Sequence, residues 1–326
     1  MFTVPCVNIS DMFKIDIPVL VIAFNRPDHT RSLLERLASQ GVGRIYVSID
    51  GPRNMVETAK CDEVLAVTKT FSDKMNITVL HRTRNLGCGI GVTAALDWFF
   101  SHVNFGVILE DDCLPEDGFF QYFEDYLSRV EDYEAQGVTM ASAHNPFLTY
   151  KSDVVSEYFL IQGWGTTREN WENVRRDFFK LASPHFSNDI NERRSLSEGV
   201  YWWANATRAR VGSVDTWDSM FCDRMWTLGK KCLIPSTNLI QNNGFGETAT
   251  HTKDPAGSIL VAVDANILES LDFDHLLRHY YFRIRPRHVL TPFLNVIKDY
   301  FLFLFRTRIE TSLKEDVNAR IELRLF

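Results

Sequence analysis

Three consecutive acids, Glu110, Asp111 and Asp112, stand directly after the apolar run Phe105–Leu109 (FGVIL). A short apolar run ended by polar residues fits a strand buried on both faces of a parallel sheet. Side chains alternate along extended backbone, so Glu110 and Asp112 share one face and Asp111 takes the other. Crowded carboxylates repel and raise each other's pKa, and a cation relieves both effects. Their hard oxygens suit Mg²⁺ or Mn²⁺, which can in turn hold a substrate diphosphate. A solvated acidic turn is the competing reading. The strand before the acids and the aromatic helix after them favour the metal. Pro115 is expected to open that helix, with Phe119, Phe120, Phe123 and Leu127 as its apolar stripe.

Other stretches offer chemistry of their own. Arg82, Arg84 and Asn85 precede the glycines at 87, 89 and 91. A glycine-rich turn at a helix start, beside cations, suits a diphosphate, and a flexible loop is the plain alternative. The dinucleotide fingerprint GxGxxG is not met, because Val92 stands where a third glycine belongs, so a dehydrogenase is disfavoured. Trp164 lies between Gly163 and Gly165, which would leave its indole reachable by a sugar ring or base; a buried interface position is the other option. Tyr201, Trp202 and Trp203 read as core. Asp215 and Asp218 open a helix at the spacing of a capping pair. The loop 242–252 (NNGFGETATHT) carries Glu247, Thr250 and His251 and could close over a ligand, or simply be mobile.

The elements that must position these groups alternate in type. Strand patterns run over Pro18–Phe24, Arg44–Ile49, Ile77–His81 and from Phe105. Helices fall between them: one after Pro27-Asp28, one near 56–70, and one through Ala94 to Phe99. This rhythm predicts an α/β fold with a mostly parallel twisted sheet covered on both faces. Right-handed crossovers then bring Asn25, Asp50, Arg84 and Asp112 to one sheet edge. Further strands are expected at Val138–His144, Tyr158–Gln162, Cys232–Pro235 and Asn238–Gln241, with a helix through Trp171, Val174 and Phe178.

Composition bounds the rest. A chain of 326 residues with 45% hydrophobic and 24% charged residues can bury a sizeable core. Its net charge of -7 argues against nucleic acid as a partner. The six cysteines form no CxxC pair, which suggests reduced thiols and a cytoplasmic location. The first residues lack a basic region followed by a long apolar run, so no signal peptide is expected. Between Arg278 and Arg308 seven Lys or Arg face a single acid, Asp299. Within that stretch, Val289–Phe305 reads as a basic-flanked amphipathic helix, either peripheral at the inner face of a membrane or packed on the domain.

Taken together, four pieces resemble one family, in order: VLVIAFNR at 19–26, IYVSIDG at 45–51, VILEDDCLPEDGFFQYF at 107–123 and TWDSMF at 216–221. The chain is similar to GT-A-type nucleotide-sugar glycosyltransferases, most of all the N-acetylglucosaminyltransferase I type and its bacterial relatives. The resemblance covers residues 17–255. It implies a domain over 15–255, with a nucleotide-binding half at 15–113 and an acceptor half at 114–255; it says nothing about the tail, where residues 256–326 are read from their own pattern as a helical extension. It implies a metal-bound donor, a UDP-sugar, with Asp112 as direct ligand to Mn²⁺ or Mg²⁺ and Glu110 and Asp111 around the ribose and sugar. Arg26 is then expected near the phosphates, Asp50 at the base, and Asp218 as base of an inverting transfer to a glycan acceptor. Glu247 is the rival base. Asn25 stands where the family often carries an acid. A sugar nucleotidyltransferase is the nearest alternative enzyme, although its usual glycine-rich basic loop is replaced here by AFNRPD. A non-catalytic nucleotide-sugar or glycan-binding protein is the alternative outside enzymes.

Overall fold

The computed structural model describes residues 15–147, 150–181, 196–244 and 272–277, together with Asn295 and Lys298. They belong to two compact units, one running to Arg176 and resuming at Arg224, the other including Asp177–Asp223. The first unit begins with alternating elements: β1 (Val19–Ala23), α1 (Pro27–Ser39), β2 (Arg44–Ile49), α2 (Met55–Lys69), β3 (Asn76–His81), α3 (Gly87–His102) and β4 (Phe105–Glu110). Next come β5 (Cys113–Pro115), α4 (Phe119–Ser128), α5 (Val130–Ala135), β6 (Val138–Ser142), β7 (Val154–Ser156), β8 (Trp164–Thr167) and α6 (Arg168–Arg175). After α7 (Leu196–Arg210) and α8 (Asp218–Thr227), the chain adds β9 (Lys231–Ile234), β10 (Ile240–Asn242) and α9 (Phe273–Leu276).

The α/β architecture expected from the sequence is present. One sheet has the order β3-β2-β1-β4-β8-β6-β9-β7, and β5 pairs separately with β10. The first four strands are parallel, with Ala23 opposite Ile49, Ile49 opposite His81, and Ile22 opposite Glu110. Their C-terminal ends therefore share one edge. Beyond β4 the sheet is mixed: β8 runs antiparallel to both β4 and β6, and β7 antiparallel to β9. Strands β1, β2 and β4 are almost wholly buried, as their continuous apolar runs require.

Local chemistry explains the helices. Pro27 starts α1, where its missing N–H costs nothing, and Leu33, Leu34 and Leu37 face the core. The Asn54 side chain caps α2 by accepting from the Val56 and Glu57 amides. Helix α4 buries Phe119, Phe120, Tyr122, Phe123 and Tyr126. Leu127, expected on that stripe, is 36% exposed, and Tyr126 takes the inward position instead.

Three sequence expectations are corrected. Pro115 does not open a helix; it ends β5, where it lies opposite Ile240, and α4 begins only after Gly118, whose φ is +86°. The glycines at 87, 89 and 91 lie inside α3, not in a loop before it. Tyr158–Gln162 is irregular, buried at Tyr158, Phe159 and Leu160 and half-buried after them, and the strands lie on either side of it as β7 and β8.

In the smaller unit the Arg210 guanidinium is fully covered, donating from Nε to the Phe178 carbonyl at 3.1 Å and pairing with Asp223 at 2.7 Å. Back in the larger unit, α9 is fixed to β7: the Ser156 hydroxyl donates to Asp274, and Phe273 packs edge-on against Phe147 and Tyr150. Among the described residues, no helix is long and apolar enough to cross a membrane. Of the proposed tail helix 289–305, Asn295 and Lys298 are described, both helical; the rest lies outside the described residues.

His144 follows β6 and is buried, with Nδ1 3.1 Å from the Asn238 side-chain oxygen Oδ1. The same oxygen accepts from the Asn145 amide, which fixes it as an acceptor and Nδ1–H as the donor. Burial holds the imidazole down at about 4, against a smaller upward pull from Asn238. A histidine with a folded-state pKa below its unfolded value stabilises fully above about pH 6.5 and loses that contribution as pH falls through about 4. The loss should reach about 3 kcal/mol. Denaturant unfolding between pH 7 and pH 4 should show a shallower decline for His144→Gln than for the native chain. Parallel declines would assign the acid sensitivity elsewhere.

Candidate active site

The edge formed by β1, β2, β3 and β4 gathers most of the chemically capable residues. Backbone pairing sets the spacing: the Asp50 amide donates to Ala23 and the Asp111 amide to Ile22, each at 3.0 Å. The two acids therefore flank the end of β1. Arg26 lies three residues past β1, immediately before α1, and reaches across to the end of β4.

There it meets two of the three acids. Its guanidinium pairs with Asp111 through Nη2, and Nε donates to the other Asp111 oxygen at 3.3 Å. The same Nη2 is 2.9 Å from Asp112 Oδ2. Side-chain exposures are 18% for Arg26, 3% for Asp111 and 12% for Asp112. Burial pushes the Asp111 carboxyl up, to about 6, Arg26 pulls it down, and Asp112 adds to the rise. Burial disfavours the Arg26 charge, but Asp111 and Asp112 outweigh it and hold its pKa above the ordinary value. Glu110, the last residue of β4, is partly exposed beside them.

The acids are held from a distant part of the chain. Strand β10 lies antiparallel to β5, with Asn242 opposite Cys113. The Asn243 amide donates to the Asp112 carbonyl at 2.9 Å, and His29 Nε2 is 3.4 Å from the Asn243 carbonyl oxygen. Gly244 packs directly on Asp112: a Cβ there would fall 2.1 Å from Oδ2. A cavity of about 160 Å³ opens in front, lined by Asp28, His29, Ser32, Asp111, Asp112 and Asn243 among others. Sequence reading missed His29 and Asn243 as parts of this site. No local pattern marks them, because their role depends on the β5–β10 pairing.

Does this geometry fit a divalent cation? Among the described residues no three His, Cys, Asp or Glu side chains converge as a ready ligand set. Asp112, however, presents a hard carboxylate to a cavity, and Mg²⁺ commonly takes one or two carboxylates and leaves its other positions to water and substrate phosphate. The residues fit a cation held in that way.

Asp50 and Asn85 form a second group at the same edge. Asp50 accepts from the Gly51 amide at 2.9 Å, the Leu86 amide at 3.0 Å and the Asn85 side chain at 2.9 Å. Burial raises its pKa, and the Leu86, Gly51 and Gly87 amides oppose the rise, with Arg82. Its carboxylate is thus a brace between the end of β2 and the start of α3. Arg84 is exposed beside it. Trp164 is corrected outright: at 1% exposure it lies within β8, paired with Ile108 and Ser142, and offers no open face. Its glycine neighbours serve the backbone. Gly163 has φ +66°, and a Cβ on Gly165 would fall 2.8 Å from the Phe123 ring. Asp218 belongs to the smaller unit, exposed as the first residue of α8, where Oδ1 accepts from the Thr216 hydroxyl and the Ser219 amide. Glu247 and His251 lie outside the described residues.

No family model matches the chain, and no curated protein matches it in sequence. Among solved structures it is similar to UDP-glucose pyrophosphorylase complexed with UDP-glucose, with TM-score 0.36, 9% identity, and coverage of 68% of this chain and 90% of that one. It is similar to mouse xyloside xylosyltransferase 1 in its apo form, with TM-score 0.33, 9% identity, and coverage of 66% and 82%. It is also similar to HddC from Yersinia pseudotuberculosis, with TM-score 0.31, 13% identity, and coverage of 55% and 87%. Likeness at these values assigns neither family nor role.

The brace at Asp50 has a testable consequence. A Cβ on Gly51 would fall 2.3–2.5 Å from the Arg84 backbone, which cannot yield as a flexible side chain would. Gly51→Ala should cost about 1–3 kcal/mol in denaturant unfolding by prising β2 from the start of α3. An unchanged midpoint would show that this contact is not needed.

Proposed function

We propose that this chain is a metal-dependent glycosyltransferase of the GT-A type, moving a sugar from a UDP-sugar to a glycan acceptor with inversion at the anomeric carbon. The observation that carries the reading is the Arg26–Asp111–Asp112 cluster at the shared C-terminal edge of β1 and β4, opening on a cavity. That edge is where open α/β sheets bind ligands, and one hard carboxylate beside a fixed cation suits a diphosphate with its metal.

Asp112 would hold the Mn²⁺ or Mg²⁺. The bound ion would neutralise charge on the departing diphosphate. Asp111 keeps Arg26 aimed at the same place, and Arg26 suits the phosphates because its planar fork matches their oxygens. Glu110 serves the ribose and sugar. Arg84, Asn85 and Asp50 line the edge toward the nucleoside, with Asp50 acting through the loop it braces. In the displacement the acceptor oxygen bonds to the anomeric carbon as the sugar–phosphate bond breaks. Asp218, whose Oδ1 accepts from the Thr216 hydroxyl and the Ser219 amide, takes the acceptor proton. His251 and Glu247 are assigned to a loop that covers the donor, beginning next to Gly244. The acceptor is a cell-surface glycan precursor on the cytoplasmic side, and the basic tail supplies a contact with the inner membrane face.

Incubation with a panel of nucleotide sugars, with Mn²⁺ or with EDTA, tests the whole reading. A glycosyltransferase should release UDP from one donor slowly without acceptor, and only with the ion present. Formation of UTP and sugar 1-phosphate from pyrophosphate would instead identify a nucleotidyltransferase. Thermal stabilisation without any turnover would identify a binding protein. Asp112→Asn should abolish the metal-dependent part of donor binding. Asp218→Asn should lower transfer about a hundredfold with donor affinity nearly unchanged. As a capping acid alone, Asp218 would cost about 1 kcal/mol of stability with transfer intact. Loss of transfer in Glu247→Gln, with Asp218→Asn active, would move the base to Glu247.

A further inference from the structure

We infer that Arg26 is an internal counter-ion that occupies the divalent cation's place on Asp112 until a nucleoside diphosphate arrives, so that cation binding depends on the nucleotide. The inference rests on the donor-site reading above and adds an order of events to it.

The contacts of Arg26 are unequal. Asp111, nearly sealed from solvent, takes both Nε and Nη2, whereas Asp112 takes Nη2 alone at 2.9 Å. Releasing Asp112 therefore leaves the buried acid still paired. Releasing Asp111 would strand a carboxylate that is only 3% exposed, and that is the expensive exchange.

Asp112 is crowded on the side away from Arg26. Its carbonyl accepts from the Asn243 amide, and a Cβ added at Gly244 would fall 2.1 Å from its Oδ2. The side left for exchange is the one the arginine occupies. A divalent ion arriving alone must share Asp112 with a guanidinium that is already bound and carries charge of the same sign. A diphosphate changes that balance. It brings oxygens that a guanidinium pairs with strongly, and a charge that draws Nη2 away from Asp112. Asp111 remains as the pivot through Nε. Asp112 Oδ2 is then released at the moment the diphosphate supplies the other ligands. Cation and nucleotide must strengthen each other by the same factor, since the coupling is reciprocal.

The test measures Mn²⁺ binding to the full chain by electron paramagnetic resonance or calorimetry, without nucleotide and then with UDP. In the native chain, UDP should tighten Mn²⁺ binding by about tenfold or more. Arg26→Gln should bind Mn²⁺ alone about tenfold more tightly than the native chain, with the UDP enhancement correspondingly smaller. Should Arg26→Gln fail to fold, the double variant Arg26→Met with Asp111→Asn removes both buried partners and must show the same gain. A purely structural arginine would give equal or weaker Mn²⁺ binding in the variants, and that result overturns the inference while leaving the donor site standing. If the native chain binds neither UDP nor UDP with Mn²⁺, the donor-site reading falls and this inference with it.

Discussion

One cation set against two adjacent carboxylates is the constraint on which the rest of this edge depends. Asp111 is buried where an ionised carboxylate is costly, and only a partner as constantly charged as arginine holds it there. Arg26 can reach it because β1 and β4 are neighbours in register, Ile22 opposite Glu110. That pairing requires a sheet order in which β4 returns beside β1 after β2 and β3 have been laid down on the other side. Right-handed crossovers through α1, α2 and α3 deliver that order. The buried runs of β1, β2 and β4 are thus the means by which two charged stretches far apart in sequence come together.

This half of the molecule was legible in the sequence for a simple reason. Strands buried on both faces carry uninterrupted apolar runs, and their ends are marked by abrupt polarity, as at Asn25, Asp50 and Glu110. Arg44–Ile49 falls exactly where its pattern puts it, and β1, β3 and β4 differ by a residue or so at an end. Past α5 the same logic fails. YFLIQ at 158–162 is as apolar as a strand, yet it is irregular chain between β7 and β8, buried at its first three residues. The strand falls one step later on WGTT, because a strand between β4 and β6 must let Phe123 approach, and Gly165 is what permits it. Burial was readable there; the hydrogen-bonding partner was not.

Trp164 shows how a sound local rule gives the wrong answer. Glycine on both sides does loosen a chain and does uncover a ring, if nothing else constrains it. Here each glycine answers to a neighbour: Gly163 to a left-handed turn, Gly165 to an aromatic side chain on α4. With the backbone fixed by two flanking strands, the indole has no route to solvent. The acids were the opposite case. Their neighbours in sequence sufficed to place them, because the abrupt end of an apolar run marks the end of a buried strand. Asp218 lies between these extremes, since a helix-opening acid reads the same whether it caps or reacts.

The part of the site that sequence could not disclose is its floor. Asn243 and Gly244 reach Asp112 only through the β5–β10 ribbon, a pairing of two three-residue strands far apart in the sequence, at 113–115 and 240–242. Pro115 obscured it, since a proline before an aromatic stripe resembles a helix start more than a strand end. Yet proline sits comfortably at the end of so short a ribbon, where few ladder bonds are asked of it. Through the ribbon, Asn243 and Gly244 close one side of the acid, and Arg26 takes the other. The carboxylate of Asp112 thus meets backbone on one face and a guanidinium on the other.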